Sequence, residues 1–218
     1  MPHDFVRRST EKLTTDLREF LADKEGPRID PGNPRVTYTE SPEYLLNIIA
    51  AFHSGSGVRG IVAWLMEHIE PSQSVIDVGC TCGFTCLPLA MAGRLVTFHD
   101  FEGLGLQFIR WFAEKEGIPV QVVPYGDDHG LTESEKQRKW AVALDVIEHT
   151  GEHVGFLHWM KTLGVTVAFS HPAIRWHEPW QTKLDEHVDH EGLRMVIEDR
   201  YEILHESNTA GRQFMVYR

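Results

Sequence analysis

The chain has 218 residues, a formal net charge of −11, 42% hydrophobic and 24% charged residues, which suits one sizeable globular core. The acidic balance argues against a general nucleic-acid binder, no apolar run approaches the length of a membrane span, and the opening residues, MPHDFVRRSTEKL, lack an apolar signal core. Its three cysteines, all between positions 80 and 86, make no disulfide framework, so free thiols in a reducing cytoplasm are expected.

Leu13, Leu17, Phe20 and Leu21 recur at helical spacing and predict a first helix over 9–21. GPRIDPGNPR at 26–35 is rich in breakers and reads as a loop. Ser41 and Pro42 open a second helix, because proline's missing N–H costs nothing in a first turn. A third helix covers 58–69, ahead of Pro71. The pattern then changes. SVIDV (74–78) is a short apolar strand, 84–91 a helix in which Pro88 fits only near the start or at a bend, and LVTFHD (95–100) the next strand. Leu104, Phe108, Ile109, Phe112 and Ala113 mark a helix over 103–117. VQVVP (120–124) is a third strand, 132–139 a short helix with Thr132 and Glu135 as its capping box, and WAVALDVI (140–147) a fourth strand. A helix over 152–163, the strand GVTVAFS (164–170), a helix over 187–199 and two final strands, YEILHES and GRQFMVYR, follow.

Strands alternating with helices imply a mostly parallel α/β sheet covered on both faces. The last two strands have no room between them for a crossover helix, so they pair antiparallel. Residues 1–72 are expected to form a helical N-terminal cap packed on a core domain of 73–218.

Such sheets bind ligands outside the carboxyl ends of their strands. Asp77 ends the first strand, and Gly79 and Gly83 bracket Cys80, Thr81 and Cys82 in the turn that follows. Glycines there allow unusual backbone angles and close approach of a ligand, and free N–H groups at a helix start meet a polar or negative group. The turn lacks the lysine and Ser/Thr of a phosphate loop. It also lacks G-x-G-x-x-G, which sets aside a nicotinamide-dependent oxidoreductase. An acid just before the loop repels a pyrophosphate and attracts a cationic or hydrogen-donating group. Asp100 ends the second strand, where an acid accepts hydrogen bonds from ribose hydroxyls. Asp127 and Asp128 follow the third strand, placed to receive the amino group of adenine. Together these acids point to a nucleoside that carries an amino acid.

VIDVGCTCG at 75–83, VTFHD at 96–100, YGDD at 125–128 and ALDVIEH at 143–149 resemble the class I S-adenosylmethionine-dependent methyltransferases. The resemblance covers 74–218. It implies a Rossmann-like methyltransferase fold, with a seven-stranded sheet whose last strand is antiparallel, and S-adenosyl-L-methionine as cofactor. By the same resemblance Asp77, Gly79, Cys80 and Gly83 hold the methionine moiety, Asp100 the ribose, and Asp127 or Asp128 faces the adenine. Thr81 stands where the family more often has glycine, and His99 before the ribose acid is unusual.

Asp145, Glu148 and His149 lie at or just beyond the fourth strand, on the edge that carries the loop. Methyl transfer is an in-line displacement at a sulfonium, so the protein aligns the nucleophile and keeps it deprotonated. His149 is the best single base, because imidazole exchanges protons near neutrality. Asp145, Glu148 and His149 are alternatively a divalent-metal set, with His171 as a fourth ligand or second base. DVIEH resembles the metal-binding segment of the quinone-biosynthesis O-methyltransferases and of the enzymes that methylate the 3′ end of small RNAs. It also occurs in relatives without a metal, and the metal is the less favoured reading. The stretch 170–192 reads as a pocket-lining loop in which Trp176 and Trp180 could sandwich a ring, while His187 and His190 are expected to face solvent, like His153 and His158 on their helix. In the cap, Tyr38, Tyr44, Phe52 and His53 are candidates to cover the open edge. Leu45, Ile48, Ile49 and Phe52 read as core, and HSGSG (53–57) as a hinge.

The leading expectation is a cytoplasmic methyltransferase acting on an oxygen or nitrogen of a small metabolite. One alternative is a metal-dependent RNA ribose 2′-O-methyltransferase, for which Arg7, Arg8 and Lys12 make a thin basic cluster. The other is a non-catalytic cofactor- or partner-binding protein. The acceptor and the oligomeric state are left open by the sequence.

Overall fold

The computed structural model describes residues 2–30, 32–53, 57–125, 138–172, 188–209 and 212–218. In chain order the elements are α1 (Pro2–Leu21), α2 (Pro34–Glu40), α3 (Pro42–His53), α4 (Val58–His68), β1 (Ser74–Val78), α5 (Leu87–Met91), β2 (Leu95–Phe101), α6 (Leu104–Glu116), β3 (Val120–Tyr125), β4 (Arg138–Leu144), α7 (His153–Leu163), β5 (Gly164–Pro172), α8 (His190–Arg200), β6 (Ile203–Thr209) and β7 (Arg212–Tyr217). A single 3₁₀ turn, Ile147–His149, follows β4.

The strands form one seven-stranded sheet in the order β3-β2-β1-β4-β5-β7-β6. β1 to β5 run parallel, and β7 runs antiparallel to both β5 and β6. β1 lies in the interior between β2 and β4, and Val75, Ile76, Asp77 and Val78 are all buried. An apolar run without polar alternation belongs in such a strand, covered on both faces.

Side-chain alternation sends β1 residues to two separate cores. Val75 joins Val96, Phe98, Val142 and Phe214 against α1, α3, α4, α5 and α6. Ile76 and Val78 join Ala141, Val167, Phe169 and Tyr217 against α7 and α8. Leu45, Ile49 and Phe52 are buried in the first core, with Ile48 packed at its margin, as the helical spacing implied. α1 is further tied to α6 by charge. Asp16 is buried and meets Lys115 at 2.8 Å and Lys12 at 3.0 Å, while Lys12 also reaches Glu116 at 2.9 Å. At the end of α4, the buried Arg94 guanidinium donates to the carbonyls of Met66 and Ile69. A cation on those bare carbonyls offsets the helix dipole.

Several boundaries differ from the sequence reading. α1 begins at Pro2, and Ser9 is a buried residue of its interior rather than its start. α2 forms inside the expected loop region because Asn33 accepts the Val36 N–H and Pro34 takes the first helical position. β4 starts at Arg138 and stops at Leu144. Asp145 takes φ 54°, which ends the strand before the expected 147. Positions 138 and 139 are strand rather than the end of a helix, and the rest of that expected helix, 132–137, lies outside the described residues. α8 begins at His190, where the Asp189 side chain accepts the Gly192 N–H. His158, expected at the surface, is half-buried and 3.2 Å from the Tyr201 hydroxyl. Most of the expected hinge, 54–56, also lies outside the described residues.

Candidate cofactor and catalytic site

The carboxyl ends of β1, β2, β4 and β5 meet along one edge. Register places Val78 beside His99 and Leu144 beside Ser170. Asp77 alternates with Ile76 and Val78, so its side chain points to the α5 side of the sheet. It is 1% exposed. Cys86 donates to it through its thiol and its backbone N–H. The oxygen Oδ2 is buried with no partner among the described residues. Burial, with a smaller contribution from the Asp100 charge, pushes the Asp77 carboxyl up to about 8.

The loop after β1 is bent by three left-handed residues, Gly79 (φ 65°), Thr81 (φ 49°) and Gly83 (φ 76°). Gly79 is needed for space as well as angle, since a Cβ there would lie 2.6 Å from Val146 Cγ2. Thr81 takes a conformation that glycine adopts at no steric cost, which accounts for the glycine more usual at this place. Its N–H donates to Asp100 Oδ2 at 2.7 Å, and the Phe101 N–H donates to Asp100 Oδ1 at 2.7 Å. Burial raises the Asp100 carboxyl, and those two N–H bonds oppose the rise. α6 is pressed against the loop: a Cβ on Gly105 would fall 2.0 Å from the Thr81 carbonyl oxygen. Cys80, Cys82 and Cys86 are buried free thiols. Burial pushes Cys82 up to about 12 and raises the other two, so all three stay protonated and unreactive.

α2 spans the edge from one side to the other. Thr39 packs on Gly103 at the β2–α6 turn, where a Cβ would lie 2.4 Å from the Thr39 carbonyl oxygen. The Arg35 guanidinium lies 5.2 Å from the centroid of the Phe101 ring. Tyr38 packs against the His149 ring at 5.6 Å between centroids and against Tyr44 at 4.9 Å. Glu148, beside His149, is buried.

The other expected site residues are engaged elsewhere. Asp145 accepts from Arg212 Nε at 2.6 Å and from Ser170 Oγ at 2.9 Å. His171 is 1% exposed, with burial pushing its ring down to about 4. Its Nδ1 lies 3.0 Å from the Pro172 carbonyl and its Nε2 lies 3.0 Å from His190 Nδ1. His190 does not simply face solvent as expected: its Nε2 lies 2.9 Å from Glu206 Oε1. Asp145 and His171 thus belong to two separate bonded sets. Among the described residues, no three His, Cys, Asp or Glu side chains are grouped to hold a metal. Asp127 and Asp128, with His177, His187, Trp176 and Trp180, lie outside the described residues. Sequence reasoning missed Arg212, His190 and Glu206 because their roles depend on strand and helix pairing that no local pattern carries.

This topology and edge are those of the class I S-adenosylmethionine-dependent methyltransferase fold. The magnesium protoporphyrin IX methyltransferase of Synechocystis PCC 6803, solved with bound SAM, superposes with a TM-score of 0.62 over 93% of this chain and 89% of that one, at 17% identity. A SAM-dependent methyltransferase from Aquifex aeolicus gives 0.57 over 72% and 87%, at 16% identity. Among curated proteins, the ubiquinone biosynthesis O-methyltransferase of Methylobacterium sp. (strain 4-46) is 29% identical over 84 residues, 38% of this chain and 33% of that protein. No protein-family model matches the chain. No helix among the described residues is long and apolar enough to cross a membrane.

Proposed function

We propose that the protein is an S-adenosylmethionine-dependent methyltransferase acting on an oxygen or nitrogen of a small metabolite. One observation carries this reading: the buried Asp77 carboxyl keeps an oxygen with no partner among the described residues, at the root of a loop bent by three left-handed residues. A bare buried oxygen is costly, and an ammonium is the group that satisfies it best. The residues fit the cofactor. Asp77 and the loop backbone would hold its amino-acid end. Asp100 accepts two N–H bonds and has lone pairs left for a ribose hydroxyl. The cofactor, when bound, supplies an electrophilic methyl group on a positively charged sulfur.

His149 is assigned to take the acceptor's proton at a ring nitrogen. Tyr38 packs against it from α2 and is itself backed by Tyr44, so the pair would fix the ring and exclude water. Asp145 and His171 are left out of the proton transfer, since their polar atoms are already bonded within the protein. The bound SAM of the Synechocystis enzyme supports the cofactor assignment, and the name of the Methylobacterium relative supports an oxygen acceptor. Calorimetry with S-adenosylmethionine and S-adenosylhomocysteine, followed by transfer of a labelled methyl group across small-metabolite pools, tests the reading. Wild-type protein should bind both ligands. His149→Ala should keep that affinity and lose about a hundredfold in turnover. Failure to bind either ligand would overturn the proposal.

A further inference from the structure

Resting on the methyltransferase reading, we propose that Arg212 is a positioning residue, which acts through Asp145 to set both the cofactor loop and the turn that carries His149. Asp145 holds a left-handed backbone, φ 54°, with a side chain attached. That conformation persists only where the surroundings fix it. Three bonds do so: the Asp145 N–H donates to the Ser170 carbonyl at 3.0 Å, Ser170 Oγ donates to Oδ1 at 2.9 Å, and Arg212 Nε donates to Oδ2 at 2.6 Å. Arg212 comes from β7, two strands away from β4 in the sheet. Both side chains of the ion pair are mostly buried, at 17% and 24% exposure.

The forced bend has two consequences. It seats Val146 against Gly79, leaving no room for a Cβ there, so the β4 turn is one wall of the cofactor loop. It also starts the 3₁₀ turn that delivers His149 to Tyr38. One ion pair thereby fixes the spacing between the loop and the assigned base.

The test uses the whole chain and needs no acceptor. Calorimetry with S-adenosylhomocysteine reads the loop, and the proton-NMR chemical shifts of the His149 ring, identified by their loss in His149→Gln, read its contact with Tyr38 and so the turn. Arg212→Gln should weaken the ligand about tenfold and shift the His149 ring resonances away from their wild-type positions, because the turn loosens from Tyr38 once Asp145 loses its counter-ion. Arg212→Lys should recover part of both. Asp145→Gly removes the tether while permitting the backbone angle, and should behave like Arg212→Gln. The double variant should be no worse than either single one. Should Arg212→Gln fail to fold, Arg212→Lys and Ser170→Ala carry the same two readouts at smaller size. A folded Arg212→Gln, or failing that a folded Arg212→Lys, with wild-type affinity and wild-type His149 ring resonances overturns the positioning role. If wild-type protein does not bind the ligand, the methyltransferase reading fails by itself, and the His149 ring resonances still decide whether Arg212 sets the turn.

Discussion

Asp77 offers the sharpest test of the charge of the ligand. Its carboxyl titrates near pH 8, so in the free protein at neutral pH it mostly holds a proton. An ammonium seated against Oδ2 favours the ionised form. Binding then releases a proton, and affinity falls about tenfold for each pH unit below 8. From pH 8 to pH 6 that is about a hundredfold, ~2.7 kcal/mol. The ligand's own α-amino group loses its charge near pH ~8, so the informative window lies below it. Asp77→Asn fixes the neutral state. Its affinity should be flat across the window and close to the wild-type value at pH 6. Calorimetry in two buffers of different ionisation enthalpy counts the proton directly. Wild-type affinity that is flat from pH 6 to 8, with no proton released, would refute the reasoning. The same shift has a consequence for folding. An acid raised in the folded state stabilises the fold fully below its ordinary value of 3.8 and loses that contribution as pH rises through about 8. The ligand-free protein should therefore melt lower at pH 9 than at pH 7, and bound ligand should narrow the gap.

His171 works in the opposite direction. Burial lowers its ring to about 4, so its contribution is complete above about pH 6.5 and is lost as pH falls towards 4, at most ~3 kcal/mol. Denaturant titrations at pH 7, 5.5 and 4 should show a shallower pH slope for His171→Asn than for wild type, and equal slopes would refute this. Thr81→Gly should raise stability by about 1 kcal/mol through relief of the left-handed angle, read as a higher melting temperature. Gly105→Ala should cost about 3 kcal/mol and weaken S-adenosylmethionine binding, since its Cβ has no room against the Thr81 carbonyl; a variant as stable and as tight as wild type is the contrary result. Asp16→Ala leaves Lys12 with Glu116 and Lys115 with Glu19 but removes the buried carboxylate between them, and should cost about 1 kcal/mol by denaturant unfolding.

The strand pattern was legible because interior strands of a parallel sheet are nearly continuously apolar, and SVIDV and WAVAL obey this apart from Ser74 and Asp77. The acids at the strand ends were legible for the converse reason. Asp77 interrupts an apolar run, and no packing argument explains a carboxylate there. What stayed hidden was set by long-range pairing. DVIEH reads as one cluster of ligands, yet the left-handed angle at Asp145 turns its carboxylate to Arg212 and Ser170, while His149 goes to Tyr38. His190 reads as a surface residue until β5 and β6 bring His171 and Glu206 to either side of its ring. α2 was missed because its proline and asparagine look like breakers, whereas Asn33 caps the helix and Pro34 starts it.

The position of α2 bears on how cofactor and acceptor are coupled. α1, α3 and α4 share the core of β1 and β2, so they are part of the sheet's own packing. α2 differs. It is short, its Thr37 and Thr39 are its buried residues, and its contacts with the edge include Thr39 on Gly103 and the Arg35 and Tyr38 side chains. Those contacts fall on both sides of the proposed cofactor site: Gly103 and Phe101 beside Asp100, and His149 beyond β4. A ligand that moves the β2–α6 turn must therefore also move Thr39, and with it the Tyr38 ring one residue away. His149 and Asp100, the proposed base and ribose acid, are linked through α2 as well as through the sheet. On the proposed reading, an adenosyl group seated beside Asp100 and Gly103 would also bear on Tyr38 and so on His149.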